Sequence, residues 1–345
     1  MTGKDVLVGF SGGVDSFYTC HLLKEKGYKV YPVLFRFSGK ENLEKAKYYA
    51  EKLGLKLSII DYRELFYEKV IKPFIEYYRN GLTPNPCVVC NRDMKIKMLY
   101  NLSEELGIKN IATGHYARTE FSEDFQKKLI FRGVEKGKEQ SYFLATILPE
   151  FIEKLIFPLG EFTKKEVIEK AKALGYQFLS ESQDICFLED DIETFLSRYI
   201  KPKKGKFVLT SGEEVGSFSA IFKYTVGQRR GLGISYKYPL YVLSILPEKN
   251  VIVVGSKDEL QKNSLYIKDI VLHVPYGEID WNCVDIQIRY RGKIARIERI
   301  EVLKNGIFFV KLHASLDAPT PGQVCAFYFK DTLLGGGEIT TLERG

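Results

Sequence analysis

Apolar positions in the first third of the chain follow two alternating rhythms. Asp5-Val-Leu-Val-Gly-Phe10 holds a short apolar run from Val6 on, and 29–37, 56–60 and 110–113 are similar buried-strand segments. Runs of this length, rich in Val, Leu and Ile, suit strands buried on both faces. Between them, apolar residues spaced three and four apart predict helices over 17–26, 42–53, 64–79 and 94–106, followed by Gly27, Gly54, Gly81 and Gly107. Glycine just past a helix end stops it, because it accepts the left-handed backbone of the last turn. Strands alternating with helices predict an α/β unit, a parallel sheet covered on both faces. Ligands of such sheets lie at the carboxyl ends of the strands. More helix is expected at about 149–157 and 163–174.

After about residue 197 the rhythm changes to short alternating segments separated by Gly, Pro and Asn. Strands are expected at 206–210, 241–245, 251–254, 284–289, 307–312 and 325–329. This divides the chain into an α/β domain over 1–197, a small β-rich domain over 198–267 and a β-barrel-like domain over 268–345. The length, 345 residues, suits two or three such units. No apolar run approaches the roughly 18 residues a membrane span needs. Met1-Thr2-Gly3-Lys4-Asp5 leads straight into the first strand without an apolar signal region. The expectation is a soluble cytoplasmic protein. A net charge of +7 permits a polyanionic partner without requiring one.

Candidate chemistry sits in the connections. Ser11-Gly12-Gly13-Val14-Asp15-Ser16 joins the first strand to the first helix. Adjacent glycines let successive N–H groups face one point, and the helix adds its positive end, which together make a phosphate site. Asp15 could hold Mg²⁺ or a ribose-side water. No Gly-Lys-Ser/Thr follows, so this is not the Walker pattern. Of six cysteines, only Cys87 and Cys90 are close in sequence, on a loop stiffened by Pro84 and Pro86. In a reducing compartment such a pair reads as metal or redox chemistry, although zinc would want two further soft ligands. Cys20, Cys283 and Cys325 read as small buried hydrophobes. Cys186, taken alone, reads as core. His115 follows Gly114 directly after a strand, where it either bonds substrate or caps the strand. The run Lys136-Gly-Lys-Glu-Gln-Ser141 reads as a polar loop before an apolar helix.

Taken in order, these segments resemble the bacterial tRNA-specific 2-thiouridylases. The resemblance rests on the 11–16 loop, Thr83-Pro84-Asn85-Pro86 with Cys90-Asn91, and Ala112-Thr-Gly-His-Tyr116. It extends through Lys138-Glu-Gln-Ser-Tyr-Phe-Leu144, Ser182-Gln-Asp-Ile-Cys-Phe187, Thr225-Val-Gly-Gln-Arg-Arg-Gly-Leu-Gly-Ile234 and Thr320-Pro-Gly-Gln323. It implies a PP-loop ATP-pyrophosphatase domain followed by two β-rich domains. ATP would adenylate O2 of a wobble uridine in tRNA, and sulfur would then displace AMP. Gly9, Phe10, Ser11, Gly12, Gly13, Val14, Asp15, Ser16, Phe35 and Gly114 would line the ATP site. Asn85, Pro86 and Cys87 would meet the target base, and His115, Lys138, Glu139, Gln140, Arg289, Tyr290 and Gln323 would touch tRNA. Cys186 would carry a persulfide, with Cys90 as its thiol partner.

Two departures stand out. Cys87 occupies a position that is often aspartate in the family, and Phe35-Arg36-Phe37 stands where Met-Lys is usual. With Cys87, Cys90 and Cys186 the chain has three thiols, enough to hold a 4Fe–4S cluster and leave one iron open for hydrosulfide. The expected cofactors are therefore ATP, Mg²⁺ and this cluster. The expected partners are tRNA and a sulfur donor, either free sulfide or a carrier fed by a cysteine desulfurase. Two other functions compete. One is a different adenylating ligase or amidotransferase on the same loop, for which no ammonia source is evident. The other is a non-catalytic tRNA-binding protein with a relic ATP site, against which the intact Asp15, Ser16, Cys90 and Cys186 argue.

Overall fold

In the computed structural model, residues 4–177 and 185–341 are described. Strands β1 (Asp5–Gly9), β2 (Lys29–Arg36), β3 (Ser58–Asp61) and β4 (Asn110–Ala112) form at the predicted places. They pair in parallel in the order β3-β2-β1-β4, with a fifth strand, β7 (Leu155–Ile156), beside β4. Alternation along β1 sends Leu7 to one face of the sheet and Val6 and Val8 to the other, and each face meets its own core. Helices α1 (Val14–Glu25) and α2 (Leu43–Lys52) cover the second face. The helix expected from 17 begins three residues earlier, because Gly13 in extended backbone serves as its N-cap. The segment predicted to be helical over 149–157 is helical only for Pro149–Ile152 before it becomes β7. Leu155 there is fully buried and pairs with Ile111, so tertiary pairing overrides the local preference. The apolar helix expected after Ser141 is a single 3₁₀ turn, Ser141–Leu144.

The periodicity above also misses a hairpin, β5 (Ala117–Ser122) with β6 (Lys127–Arg132). Arg118, Glu120, Lys127 and Lys128 interrupt its apolar positions and hide the alternation. This hairpin leaves the α/β unit and joins the C-terminal sheet, where β6 pairs antiparallel with β17 (Thr332–Thr340).

The central region holds β8 (Gly205–Leu209), β9 (Glu214–Phe218), β10 (Tyr241–Leu246) and β11 (Val251–Gly255), ordered β10-β11-β8-β9 around their own core. Beyond it come β12 (Gln261–Leu272), β13 (Asp285–Gln287), β14 (Ile294–Val302), β15 (Phe308–Asp317) and β16 (Val324–Phe329). With β17 they run β12-β15-β14-β13-β16-β17, and a β12–β17 pairing closes the six-stranded barrel. Closure leaves no free edge within the barrel. Its outer side is shared: Val324, Ala326, Tyr328 and Leu333 lie in the same core as Leu7, Val33 and Ile111 of the parallel sheet. Tyr142, fully buried between them, donates its hydroxyl to the Val324 carbonyl at 2.7 Å. Cys20 and Cys325 are buried as expected, but Cys283 is not a strand cysteine. It ends a 3₁₀ turn, is only half-buried, and its Sγ lies 3.2 Å from the Asp280 carboxylate.

Candidate active site

The 11–16 loop leaves the carboxyl end of β1 and enters α1. Gly9 and Phe10 remain tied to the sheet: the Phe10 N–H donates to the Val33 carbonyl at 2.8 Å. Phe10 and Val14 point into the core. The Ser11 N–H donates to Ser16 Oγ and the Gly13 N–H to Ser11 Oγ, both at 3.3 Å. Ser16 closes the turn by donating to the Gly13 carbonyl at 2.9 Å. Gly12 has φ +73°, and a Cβ there would lie 2.7 Å from the Ala46 backbone of α2. Only glycine fits such a position. Gly114 presses on the same turn, where an added Cβ would lie 3.1 Å from Asp15. Phe35, on the neighbouring strand β2, is buried against Phe37 and Tyr62.

Asp15 is already engaged. Lys164 Nζ lies 2.7 Å from each of its carboxylate oxygens, and the Tyr116 hydroxyl donates to Oδ1 at 2.8 Å. A divalent cation suits this carboxylate beside a phosphate loop, provided Lys164 gives way. Sequence reasoning passed over Lys164. The signal for it was faint: a lysine at the first position of a helix that Thr163 and Glu166 close with a capping box.

The thiols lie beyond the next strand. Phe37, just after β2, packs into the cluster that holds Cys90 and Phe187. Asn85 caps the short helix Pro86–Cys90 by accepting the Val88 N–H at 3.3 Å, with Pro86 at its first position. The helix runs on into a π-helical turn, Asn91–Lys95. Cys90 is buried, Cys87 half-buried and Cys186 exposed. Burial pushes the Cys90 thiol up to about 12; the Lys95 ammonium opposes this, while Cys186 and Cys87 add to it. Although part of its surface is open, the protein around Cys186 also raises its thiol, again against Lys95. Lys95 is thus the cation facing both sulfurs, a second residue the motifs did not single out. Among the described residues, no three His, Cys, Asp or Glu side chains converge closely enough to hold a metal ion. Ser182, Gln183 and Asp184, which lead to Cys186, lie outside the described residues.

Several residues expected at tRNA are spent on holding the domains together. Glu139 is buried, with its carboxylate taken by Arg132 at 3.0 Å and by the Ser141 N–H. Arg132 also donates to Gln287 of the barrel at 2.9 Å and lies 3.6 Å over the Tyr328 ring. Gln140 exchanges hydrogen bonds with the Tyr116 backbone, and the neighbouring Lys138 is half-buried. His115 is buried, its Nδ1 2.6 Å from Thr113 Oγ1, and burial keeps it neutral by driving its pKa well down. Gln323 Nε2 donates to the Thr83 and Pro84 carbonyls at 2.9 and 3.2 Å, clamping the 83–86 loop to the barrel. Thr225 of the central domain meets Thr83 from the other side at 3.3 Å. Arg289 donates to Ala318 O and Thr320 Oγ1 and lines, with Thr83, Thr225, Gln228 and Gln323, a cavity of about 440 Å³ where the three domains meet. Tyr290 packs against the tilted ring of Phe143 and lies under the Arg291 guanidinium.

Three family models match consecutive parts of the chain. They are described as the tRNA methyl transferase HUP domain (4–190), the tRNA methyl transferase PRC-barrel domain (193–256) and the aminomethyltransferase β-barrel domain (262–339). The tRNA-specific 2-thiouridylase MnmA of Aquifex aeolicus is 40% identical, covering 97% of this chain and 98% of its own length. The protein of the same name from Thermotoga neapolitana is also 40% identical, over 96% and 98%. The chain belongs to the tRNA-specific 2-thiouridylase family. A solved structure described as the U34-tRNA thiolase NcsA from Methanococcus maripaludis with its 4Fe–4S cluster is 20% identical. It covers 56% of this chain and 62% of its own at a TM-score of 0.34, too slight a likeness to carry an argument about the cysteines. In this chain the 11–16 loop follows β1, and Phe37, just after the neighbouring strand β2, packs in the cluster that holds Cys90.

Proposed function

We propose that this chain is an ATP-dependent tRNA-uridine 2-sulfurtransferase. The observation that carries this reading is the self-bonded glycine turn after β1 together with a cysteine-bearing helix whose Cys90 shares a cluster with Phe37, just after β2. O2 of a uridine attacks the α-phosphorus of ATP; the bond to the β-phosphate oxygen breaks, pyrophosphate leaves, and the base gives up its N3 proton. AMP then becomes the leaving group, because an unmodified carbonyl oxygen departs poorly. The terminal sulfur of a persulfide on Cys186 attacks C2 and displaces AMP. Cys90, giving up its thiol proton, attacks Cys186 Sγ; the S–S bond to the base breaks, the base takes a proton back at N3 as the thiocarbonyl, and a Cys90–Cys186 disulfide remains for a dithiol reductant to reopen.

The 11–16 loop and Gly114 hold the phosphates, and Asn85 and Pro86 shape the base site beside Cys87. Glu139, Gln140 and Gln323 act by positioning, whereas Lys138, Arg289 and Tyr290 line the approach of tRNA. The domains are best divided near residue 261, where β12 starts, so that this strand stays whole in the barrel. The protein works in the cytoplasm, where tRNA is; no described helix is long and apolar enough to cross a membrane. The test is mass analysis of tRNA nucleosides after incubation with ATP and a sulfur donor. Expected are 2-thiouridine, AMP and pyrophosphate. ADP and phosphate as products, or no thiolated nucleoside, would overturn the reading.

Cys87 favours a second account of the sulfur step. It lies on the same short helix as Cys90, and both it and Cys186 bear on the Cys90 thiol. A 4Fe–4S cluster on these three would supply an open iron for hydrosulfide. The thiols would have to draw closer than they stand here. Anaerobic protein should then be brown, with about four irons per chain, and Cys87→Ala should lose iron and thiolation together. Full thiolation by iron-free wild type ends this account and leaves the persulfide route.

A further inference from the structure

The 11–16 loop contains no basic residue, yet a triphosphate docked there brings several negative charges. Lys164 arrives from 149 positions further along the chain and places Nζ 2.7 Å from both oxygens of Asp15, the second residue of α1. The ammonium therefore stands at the helix end on which phosphate docks. Its support is rigid. Thr163 caps the helix Lys164–Ala173 through a reciprocal box with Glu166, and the Lys164 N–H donates to Glu135 Oε2 at 2.6 Å. Tyr116 fixes the Asp15 carboxylate from the other side. Both charged side chains keep a solvent-facing part, 18% for Lys164 and 34% for Asp15, so the pair is open to a ligand.

We propose that Lys164 is the phosphate-binding cation of this site, resting on Asp15 until a nucleotide triphosphate arrives and then stabilising the departing pyrophosphate. Asp15 would be the residue to hold a divalent cation that accompanies the triphosphate, and Lys164 would then leave its carboxylate. The freed ammonium has the β- and γ-phosphate oxygens as its new acceptors. As the α–β bridging bond breaks, its electron pair passes to pyrophosphate, and a fixed positive charge there lowers the barrier more than it favours ground-state binding. A lysine that simply neutralised Asp15 would do none of this.

The inference rests on the ATP-cleaving reading above, and the experiment separates the two. Binding of ATP, pyrophosphate and AMP is measured by calorimetry on the full chain, beside tRNA-dependent pyrophosphate release, for wild type, Lys164→Met, Lys164→Arg and Asp15→Asn/Lys164→Met. Expected for Lys164→Met is a loss of about tenfold or more in affinity for ATP and pyrophosphate, unchanged AMP affinity, and a fall in kcat of about 100-fold. Lys164→Arg should recover part of the pyrophosphate affinity, and the double variant should recover none. Equal effects on AMP and pyrophosphate, or rescue by Asp15→Asn, would show a merely structural counter-ion and overturn the proposal. If wild type itself fails to release pyrophosphate, the functional reading falls instead. Thermal unfolding of each variant confirms that the fold is intact.

Discussion

The phosphate loop and the thiol site are built in opposite ways. The first is nearly self-sufficient: Ser11, Gly13 and Ser16 bond among themselves, and their supports, Ala46, Gly114, Tyr116 and Lys164, all belong to the α/β unit. The second leans on the whole molecule. The 83–86 loop before Cys90 is clamped by Gln323 of the barrel and touched by Thr225 of the central domain. Adenylation can therefore be organised locally, whereas base presentation and sulfur transfer depend on three domains being in register. Removing the barrel is a poor way to examine this, because Val324 and Tyr328 share a core with Leu7. Point substitutions separate the two sites better.

The largest effect is expected from Cys90→Ser, which should abolish thiolation while leaving tRNA-dependent pyrophosphate release within about threefold of wild type. Parallel assays of thiolated nucleoside and pyrophosphate check it; loss of both would mean the two sites are not separable. Next comes Asp15→Ala, expected to slow pyrophosphate release by about 100- to 1,000-fold because the helix end loses the carboxylate that holds Lys164 and Tyr116. Its fold should persist by circular dichroism, and near-normal release would contradict the assignment of the loop.

Gln323→Ala should act only on the shared site. Losing two hydrogen bonds to the 83–86 loop is worth about 1–2 kcal/mol, so KM for tRNA should rise about tenfold with ATP affinity unchanged. Equal loss of ATP affinity would erase the contrast between the regions.

The smallest effect concerns proton equilibria. Cys90 is held up near 12 by burial, so it is a neutral thiol at physiological pH. Its alkylation should climb roughly tenfold per pH unit from about 7 to 10, with no plateau near the ordinary thiol value of about 8.5. Lys95→Met removes the opposing cation and should slow alkylation further at fixed pH. A plateau near that ordinary value in the unliganded enzyme would mean the thiol is not shielded.

The sequence made the parallel sheet legible because buried strands and glycine-stopped helices leave local marks. The 11–16 loop was legible for the same reason, its parts being consecutive. What escaped was tertiary. Strand β7 looked helical until Ile111 claimed Leu155 as a partner, and the β5–β6 hairpin is too charged to show its alternation. Lys164 carries no motif and becomes meaningful only when folding brings it to Asp15. Glu139 sits in a recognisable run, yet the run could not tell that Arg132 and Ser141 would take its carboxylate. A motif names the residues near a site, and only packing decides whether they face the ligand or brace the residues that do.

The pairing of Phe131 with Thr332 also has a consequence in time. The hairpin leaves the ribosome about 200 residues before its partner strand, which at 5–20 residues per second is roughly 10 to 40 s. Throughout that interval β6 carries an unpaired edge, and one side of the first domain's core lacks its cover. A nascent chain in this condition invites pairing with its neighbours on a polysome, so its yield should depend on translation speed and on chaperones that shield β edges.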